Sequence, residues 1–265
     1  MDLIETFGAK IGALSEEKPQ RARQLLTAGF RANGVKNKLA SKRSSKSDRM
    51  LFQLVNRAMV TCLAKPQSNV MVSLFTPCEM LHLQGLHPYS CEGFSSYLSG
   101  AMAEQPFLHQ AEDTGIPNSL CSYHKVFIGA AQMGLMPKPR FILSTSLACD
   151  ANTLAFRHLA QFYDVPHFNV DIPFESSPQA VDYVAGQLRQ MGEFLTQQTG
   201  LPLDDGQLAR TVARSQRTMA LYHRGLRLRA GRQVLSDLTS ELLRTAAFHF
   251  LLGTPETEAY ARQLL

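Results

Sequence analysis

The sequence predicts an α/β fold, in which a parallel sheet with flanking helices is followed by a helical C-terminal region. Three apolar runs, at residues 69–75, 141–147 and 167–172, have the length and composition of buried strands. Helical patterns separate them, and this alternation indicates parallel strands joined by right-handed crossovers. After Pro173 the chain shows only helical patterns. The sheet therefore precedes the helical region along the chain.

This pattern divides the chain into three expected parts. Residues 1–49 form an N-terminal helix and a basic linker, residues 50–175 form the α/β domain, and residues 176–265 form the helical region. We expect a helical region of this kind to lead to a second α/β domain that is absent here.

Helical spacing and punctuating residues locate the elements before the first strand. A helix is predicted over 16–30, followed by a loop at Asn33-Gly34. A further helix covers 51–63, and Cys62 lies on its apolar stripe, so we interpret Cys62 as a core residue.

Beyond the first strand, the predicted helices are bounded by turn and capping residues. Thr76 is predicted to cap the first of them, with Pro77 at its first position, and Gly85 to end it. The full set of predicted helices is 77–84, 94–115, 121–134, 150–163, 177–199, 208–222, 236–252 and one beginning at 254.

Composition and charge indicate the class of protein. The chain is 45% apolar, has no run long enough to span a membrane and begins without a secretory signal, so we expect a cytoplasmic protein. The net charge of +5 hides nine basic residues and a single acidic one between Arg21 and Arg49. Without an accompanying nucleic-acid motif, we interpret this stretch as a solvated arm and expect no nucleic-acid partner.

Three of the five cysteines occupy equivalent places in the predicted sheet. Cys78 follows the first strand, Cys121 begins a helix, and Cys149 lies between a strand and a helix. Ligand chemistry gathers at the carboxyl ends of parallel strands, and helix starts favour a thiolate. Thiolates are the ligands of iron–sulfur clusters, so all three cysteines are candidate metal ligands.

Other readings of these residues remain open. Small buried hydrophobes would fit the cysteine spacing equally well, because no CxxC pair is present, and we interpret Cys91 as a core residue. His124 lies three residues after Cys121, as zinc ligands can, but we interpret it as a surface or hydrogen-bonding residue. Asp150 is interpreted as a helix cap, and the alternative is a residue that tunes a cluster or handles protons. The chain lacks GxGxxG and Walker motifs, so it is not expected to hydrolyse ATP.

Four phrases of the sequence resemble the 2-hydroxyacyl-CoA dehydratase family, which includes benzoyl-CoA reductase-type subunits. The resemblance covers roughly residues 50–265 and is specific within 70–173. The matching phrases are TPCEMLHLQGLHP at 76–88, GIPNSLCSYHK at 115–125, STSLACDAN at 144–152 and FYDVPHFNVDIP at 162–173.

The resemblance implies a fold, a cofactor and a reaction. Members of this family have two flavodoxin-like α/β domains with a [4Fe-4S] cluster between them, and the first two cluster cysteines match Cys121 and Cys149. An ATP-dependent activator protein delivers one electron. The dehydratase then removes water from a 2-hydroxyacyl-CoA through a radical, whereas related members act as reductases.

This chain departs from the family pattern because it has no cysteine after Cys149. Cys78 could be the third ligand, a second dehydratase subunit could supply it, or the chain could be a truncated, non-catalytic domain. A related iron–sulfur reductase component is a further alternative. If the catalytic site lies between two domains, the edge that carries Cys121 and Cys149 should be an open and partly apolar surface.

Overall fold

The computed structural model describes residues 3–39, 45–230 and 238–265. Within these ranges the strands are β1 (Asn69–Val72), β2 (His87–Ser90), β3 (Phe141–Thr145) and β4 (His167–Val170). The helices are α1 (Leu3–Glu17), α2 (Pro19–Leu39), α3 (Lys46–Ala64), α4 (Glu79–Leu83), α5 (Cys91–Gly100), α6 (Gln105–Asp113), α7 (Ser122–Gln132), α8 (Asp150–Tyr163), α9 (Pro178–Thr199), α10 (Asp205–Arg229), α11 (Leu238–Phe250) and α12 (Pro255–Gln263).

The four strands form one parallel sheet in the order β2-β1-β3-β4. This order matches the start of the flavodoxin-like arrangement. In that arrangement β2 is added on one side of β1 and the later strands are added on the other side, so the strand order reverses between β1 and β3. Right-handed crossovers on the two sides of such a reversal place their helices on opposite faces of the sheet. The α/β fold predicted from the sequence is therefore confirmed.

Alternating residues of the strands separate two cores. Met71 and Ile142 point to the first face, where they pack with α5, α7 and α8. Val70 and Leu143 point to the second face, where α4, α9, α11 and α12 cover them. Because side chains alternate along a strand, this division follows directly from the apolar runs of β1 and β3.

The helical region packs back on the sheet. On the second face, the ring of Phe194 in α9 lies 5.4 Å from Phe141 and 5.5 Å from Phe168, measured between centroids. The α1 and α2 helices join the first core through Ile11, Leu26 and neighbouring residues. Both cores thus draw on residues outside 50–175, and the proposed domain boundaries stay predictions.

Several predicted elements agree with the structure. Helix α8 has the predicted bounds, and α9 and the strands β1, β3 and β4 lie within or at the predicted ranges. The short strand β2 was not predicted, because it has four residues and begins His87-Pro88. The predicted helix 94–115 is two helices, α5 and α6.

Two predictions for elements in the N-terminal half of the chain were wrong. The loop expected at Asn33-Gly34 lies inside α2, and Gly34 instead allows a close approach to α3: a Cβ there would lie 2.8 Å from Nδ2 of Asn56. The helix expected to begin at Pro77 with Thr76 as cap begins at Glu79, and its N-cap residue, Cys78, makes no side-chain capping bond.

Part of the basic segment is described by the structure. Its residues up to Leu39 belong to α2 and those from Lys46 begin α3, whereas Lys42 and Arg43 lie outside the described residues. Among the helices of the described ranges, none combines the length and apolar character needed to cross a bilayer.

Candidate functional site

The carboxyl ends of β1 and β3 mark the point where strand order reverses. In open α/β sheets, this is the place where ligands bind. The loop after β1 is tied to β3 here, because the amide of Thr145 donates to Oγ of Ser73 at 3.0 Å and the amide of Ser73 donates to the carbonyl of Leu143 at 3.1 Å. The two loops therefore form one continuous edge, which we call the carboxyl edge.

Two exposed thiols begin adjacent helices at this edge. Cys149 is the N-cap residue of α8 and Cys121 is the N-cap residue of α7, and neither side chain makes a capping hydrogen bond. The two helices pack against each other on the first face, and packed helices lie about 8–10 Å apart. Both thiols are thus accessible, and neither is used as a helix cap.

Cys78 lies in a different environment. Its side chain is 1% exposed and belongs to the core of the second face, and its thiol donates to the carbonyl of Thr76 at 3.2 Å. Burial raises the pKa of the Cys78 thiol well above its usual value, and the Glu79 charge adds to this effect. Cys78 therefore follows β1 as predicted, but its sulfur is not presented beside Cys121 and Cys149.

The remaining two cysteines are core residues. Cys62 and Cys91 are buried in the first core, and burial raises the pKa of each thiol. The structure thus bears out their interpretation as core residues. Of the five cysteines, Cys121 and Cys149 are the exposed ones.

A carboxylate at the start of α5 joins three segments of the carboxyl edge. Glu92 Oε1 accepts from the amide of Leu74 at 3.1 Å and from Nδ2 of Asn152 at 3.3 Å, while Oε2 accepts from Oγ of Ser90 at 3.0 Å. Burial raises the pKa of Glu92, and these donors oppose that rise. Asn152 lies in the first turn of α8, so Glu92 links the β1 loop to the helix that Cys149 begins.

The helix that Cys121 begins is held by three other contacts. Ser95 of α5 donates its hydroxyl to the carbonyl of Tyr123 at 2.7 Å. Nζ of Lys125 lies 2.6 Å from Oε1 of Glu112 and 2.8 Å from the carbonyl of Asn118, in the loop before Cys121. The Lys125 side chain is 7% exposed, so this ion pair closes a buried end of the α6–α7 hairpin.

Exposed apolar side chains surround the carboxyl edge. Phe75 follows β1 and is 39% exposed, Leu147 follows β3 and is 54% exposed, and Phe174 follows β4 and is fully exposed. Tyr123, two residues after Cys121, is 46% exposed. The expectation of an open and partly apolar edge is therefore confirmed.

Two residues near the cysteines differ from their sequence interpretation. His124 is 4% exposed and its ring contacts Phe127 edge-on, with centroids 5.3 Å apart, so it is a core residue rather than a surface one. Asp150 follows the N-cap position, which Cys149 occupies. Within the described ranges, no three histidine, cysteine or acidic side chains are grouped as a metal site would require.

The sequence interpretation did not single out Glu92, Ser95, Asn152 or Lys125. Glu92 and Ser95 were missed because β2 was missed: a carboxylate two residues after a recognised strand would have stood out at the carboxyl edge. Asn152 and Lys125 lie in two of the segments that resemble the dehydratase family, at 144–152 and 115–125, but their hydrogen-bond partners are distant in sequence.

The fold and the edge define an α/β protein in which two exposed thiols begin adjacent helices that pack on a parallel sheet. Its sequence matches the profile of the 2-hydroxyglutaryl-CoA dehydratase D-component over residues 73–265, and the chain therefore belongs to this dehydratase family. The match includes the strands β2, β3 and β4, both exposed cysteines and the helical region, and it begins just after β1.

A curated relative supports the same assignment. The chain is similar to the (R)-phenyllactyl-CoA dehydratase alpha subunit of Clostridium sporogenes, with 25% identity over 121 residues. The match covers 42% of this chain and 30% of that subunit, so less than a third of the relative is represented.

Proposed function

We propose that this chain contributes one wall of a 2-hydroxyacyl-CoA dehydratase site and holds an iron–sulfur cluster there through Cys121 and Cys149. The observation that carries the proposal is that both thiols are exposed, make no capping bond and begin adjacent helices of the first face. Family membership supports the same reaction class.

The donor set of this chain fits such a cluster in part. Thiolates are the usual protein ligands of iron–sulfur clusters, and two exposed thiols at helix starts suit this role. Cys78, our third candidate ligand, would have to leave its core and its bond to Thr76. We therefore favour a third thiolate from a second dehydratase subunit over one from Cys78.

A [4Fe-4S] cluster, when bound, would supply the low-potential electron for radical removal of water from a 2-hydroxyacyl-CoA. The residues of this chain would anchor it and exclude water with the apolar side chains of Phe75 and Leu147. An ATP-dependent activator protein and an acyl-CoA substrate are the partners that this reaction requires. The open edge suits a reaction completed by a facing subunit.

A non-catalytic role is the second candidate. The described residues lack a group of three metal-binding side chains, and this observation favours a domain that keeps the fold without the cluster. The two candidates differ in one measurable property, which is iron binding by the chain, alone or together with a second subunit.

Anaerobic reconstitution with iron and sulfide tests the proposal. We expect a broad visible absorption band and up to about four irons per chain. Cys121→Ser and Cys149→Ser should each abolish iron binding, whereas Cys62→Ala should retain it at a packing cost of roughly 1 kcal/mol. Equal loss in all three variants would show that the thiols act through folding.

Reconstitution alone and with a candidate partner subunit separates the sources of the third ligand. Iron that binds only when the second subunit is present supports a shared site. Loss of iron binding in Cys78→Ala would show instead that Cys78 is a ligand. A chain that binds no iron in either condition, yet folds, would support the non-catalytic candidate. Turnover of a 2-hydroxyacyl-CoA with activator and ATP is the final test.

A further inference from the structure

We propose that Glu92 is a positioning residue that fixes Cys149, and with help from Ser95 also Cys121, at the carboxyl edge. Neither residue touches the candidate ligands directly. The role toward a metal rests on the proposed function, whereas the geometric role can be measured in the free protein.

The contacts of Glu92 converge from three segments. Its carboxylate accepts from the amide of Leu74 after β1, from the hydroxyl of Ser90 at the end of β2 and from the side chain of Asn152 in α8. Every one of these partners is a donor, which suits a carboxylate with several acceptor positions. A single side chain thus holds three parts of the edge together.

A single residue, Asn152, links Cys149 to this carboxylate through hydrogen bonds. The amide of Asn152 donates to the carbonyl of Cys149 at 3.1 Å, and the amide side chain of the same Asn152 donates to Glu92. The Asn152 side chain is buried, with 1% exposure for the residue. Movement of the start of α8 would therefore break a buried hydrogen bond, and the cost of breaking this bond disfavours the movement.

The β1 loop that Glu92 holds is strained. Phe75 follows Leu74 and has φ 69°, in the left-handed region that bulky residues rarely adopt. Its ring contacts His249 of α11 edge-on, with centroids 4.6 Å apart. A strained residue persists only where its surroundings determine it, and the bond from the amide of Leu74 to Glu92 supplies part of that constraint.

Helix α5 also reaches the helix of Cys121. Ser95 lies one turn after Glu92 and donates to the carbonyl of Tyr123, two residues beyond Cys121. The same short helix therefore touches the start of α7 and the start of α8. A fixed pair of thiols binds a thiophilic metal more tightly than a mobile pair, because less ordering is needed on binding.

Cd²⁺ titration of the cluster-free protein, followed by thiolate-to-metal absorption, measures this preorganisation. We expect Glu92→Ala to weaken Cd²⁺ binding by about tenfold or more. Glu92→Gln should bind within about threefold of the wild type, because its amide oxygen still accepts from Leu74 and Asn152 while its NH₂ can donate to Ser90. Rescue by this variant distinguishes hydrogen bonding from charge.

The matched control is Glu193→Gln, which alters an exposed carboxylate of α9 on the second face. It should leave Cd²⁺ affinity unchanged. Wild-type affinity in Glu92→Ala, or an equal loss in Glu193→Gln, would overturn the positioning role. Circular dichroism of each variant confirms that the fold is retained.

A second measurement separates this inference from the proposed function. Bismaleimides of increasing length should join Cys121 to Cys149 over a narrow range of spacers in the wild type and over a wider range in Glu92→Ala. Absence of metal binding in the wild type would refute the proposed function, while the spacer range still reports on Glu92. An unchanged spacer range in Glu92→Ala would refute the positioning role even if iron binds.

Discussion

Cys78 and Cys149 follow the neighbouring strands β1 and β3, yet the protein places them in opposite environments. Cys149 is exposed at the start of a helix on the first face, and Cys78 is buried in the core of the second face. The difference follows from the strand order, because the chain leaves β1 and β3 in opposite directions. Equivalent sequence positions therefore become chemically different thiols.

The largest expected effect of this comparison is on thiol reactivity. Exposed cysteines react in the native state, whereas buried ones react only when the structure opens. We expect a disulfide reagent to modify Cys121 and Cys149 at least about a thousandfold faster than Cys78, because opening of a core requires several kcal/mol. Peptide mass spectrometry of timed samples measures each site.

Denatured protein provides the control for this measurement, since all five cysteines should then react at similar rates. Fast native modification of Cys78 would show that its part of the second core opens readily. Such a result would strengthen Cys78 as a third ligand.

The second face should also carry an acid-sensitive group. Burial lowers the pKa of His82 in α4 to about 4, although a hydrogen bond to the backbone of Phe250 opposes this shift. The folded state thus favours the neutral ring, and the unfolded state binds more protons between about pH 6.5 and 4. The contribution of His82 to the unfolding free energy is therefore complete above about pH 6.5. It is lost as the pH falls, and the loss reaches about 3 kcal/mol at pH 4.

Urea unfolding at several pH values checks this expectation. His82→Gln should flatten the pH dependence of the unfolding free energy over this range, whatever its stability at neutral pH. His124→Gln is the comparison on the first face, where burial also lowers the histidine pKa. An unchanged slope in His82→Gln would contradict the assignment.

The ion pair between Lys125 and Glu112 should contribute more to stability than an exposed pair on the second face. Lys125 is 7% exposed in its bond to Glu112, whereas Arg262 is 60% exposed in its bond to Glu258. We expect Lys125→Met to lower the unfolding free energy by about 2 kcal/mol, since it leaves the carbonyl of Asn118 without this donor.

Arg262→Met is the matched control and should cost less than about 0.5 kcal/mol, because water screens an exposed ion pair. Chemical unfolding of both variants provides the measurement. Equal losses would mean that burial of Lys125 does not strengthen its pair.

The sequence predicts the parts of this protein that depend on local pattern. Runs of apolar residues locate β1, β3 and β4, and helical spacing locates α8 and α9, because burial imposes these periods. The same patterns locate the helix starts at which Cys121 and Cys149 lie, and so they identified both exposed cysteines as candidate ligands. The opposite burial of Cys78 depends on strand order, which required recognition of β2, and four residues beginning His87-Pro88 give too weak a pattern.

The polar contacts of the edge are less accessible to sequence reasoning. Glu92 and Asn152 are 60 residues apart, and nothing in the local pattern of either indicates the other. The same holds for Gly34, which reads as a turn residue but allows α2 to approach Asn56 of α3. Such pairs appear only when the packed structure brings distant elements together.

The smallest expected effect compares Cys78 and Cys121 by removal of the sulfur atom alone. Cys78→Ala leaves a small cavity in the core of the second face and removes the bond to Thr76, so we expect a loss of about 1 kcal/mol in unfolding free energy. Cys121→Ala removes an exposed atom without a capping bond and should cost less than about 0.5 kcal/mol. Chemical unfolding of the cluster-free proteins tests both values. A larger loss in Cys121→Ala than in Cys78→Ala would mean that the first-face thiol supports the fold itself, and the loss of iron in that variant could then no longer be read as loss of a ligand.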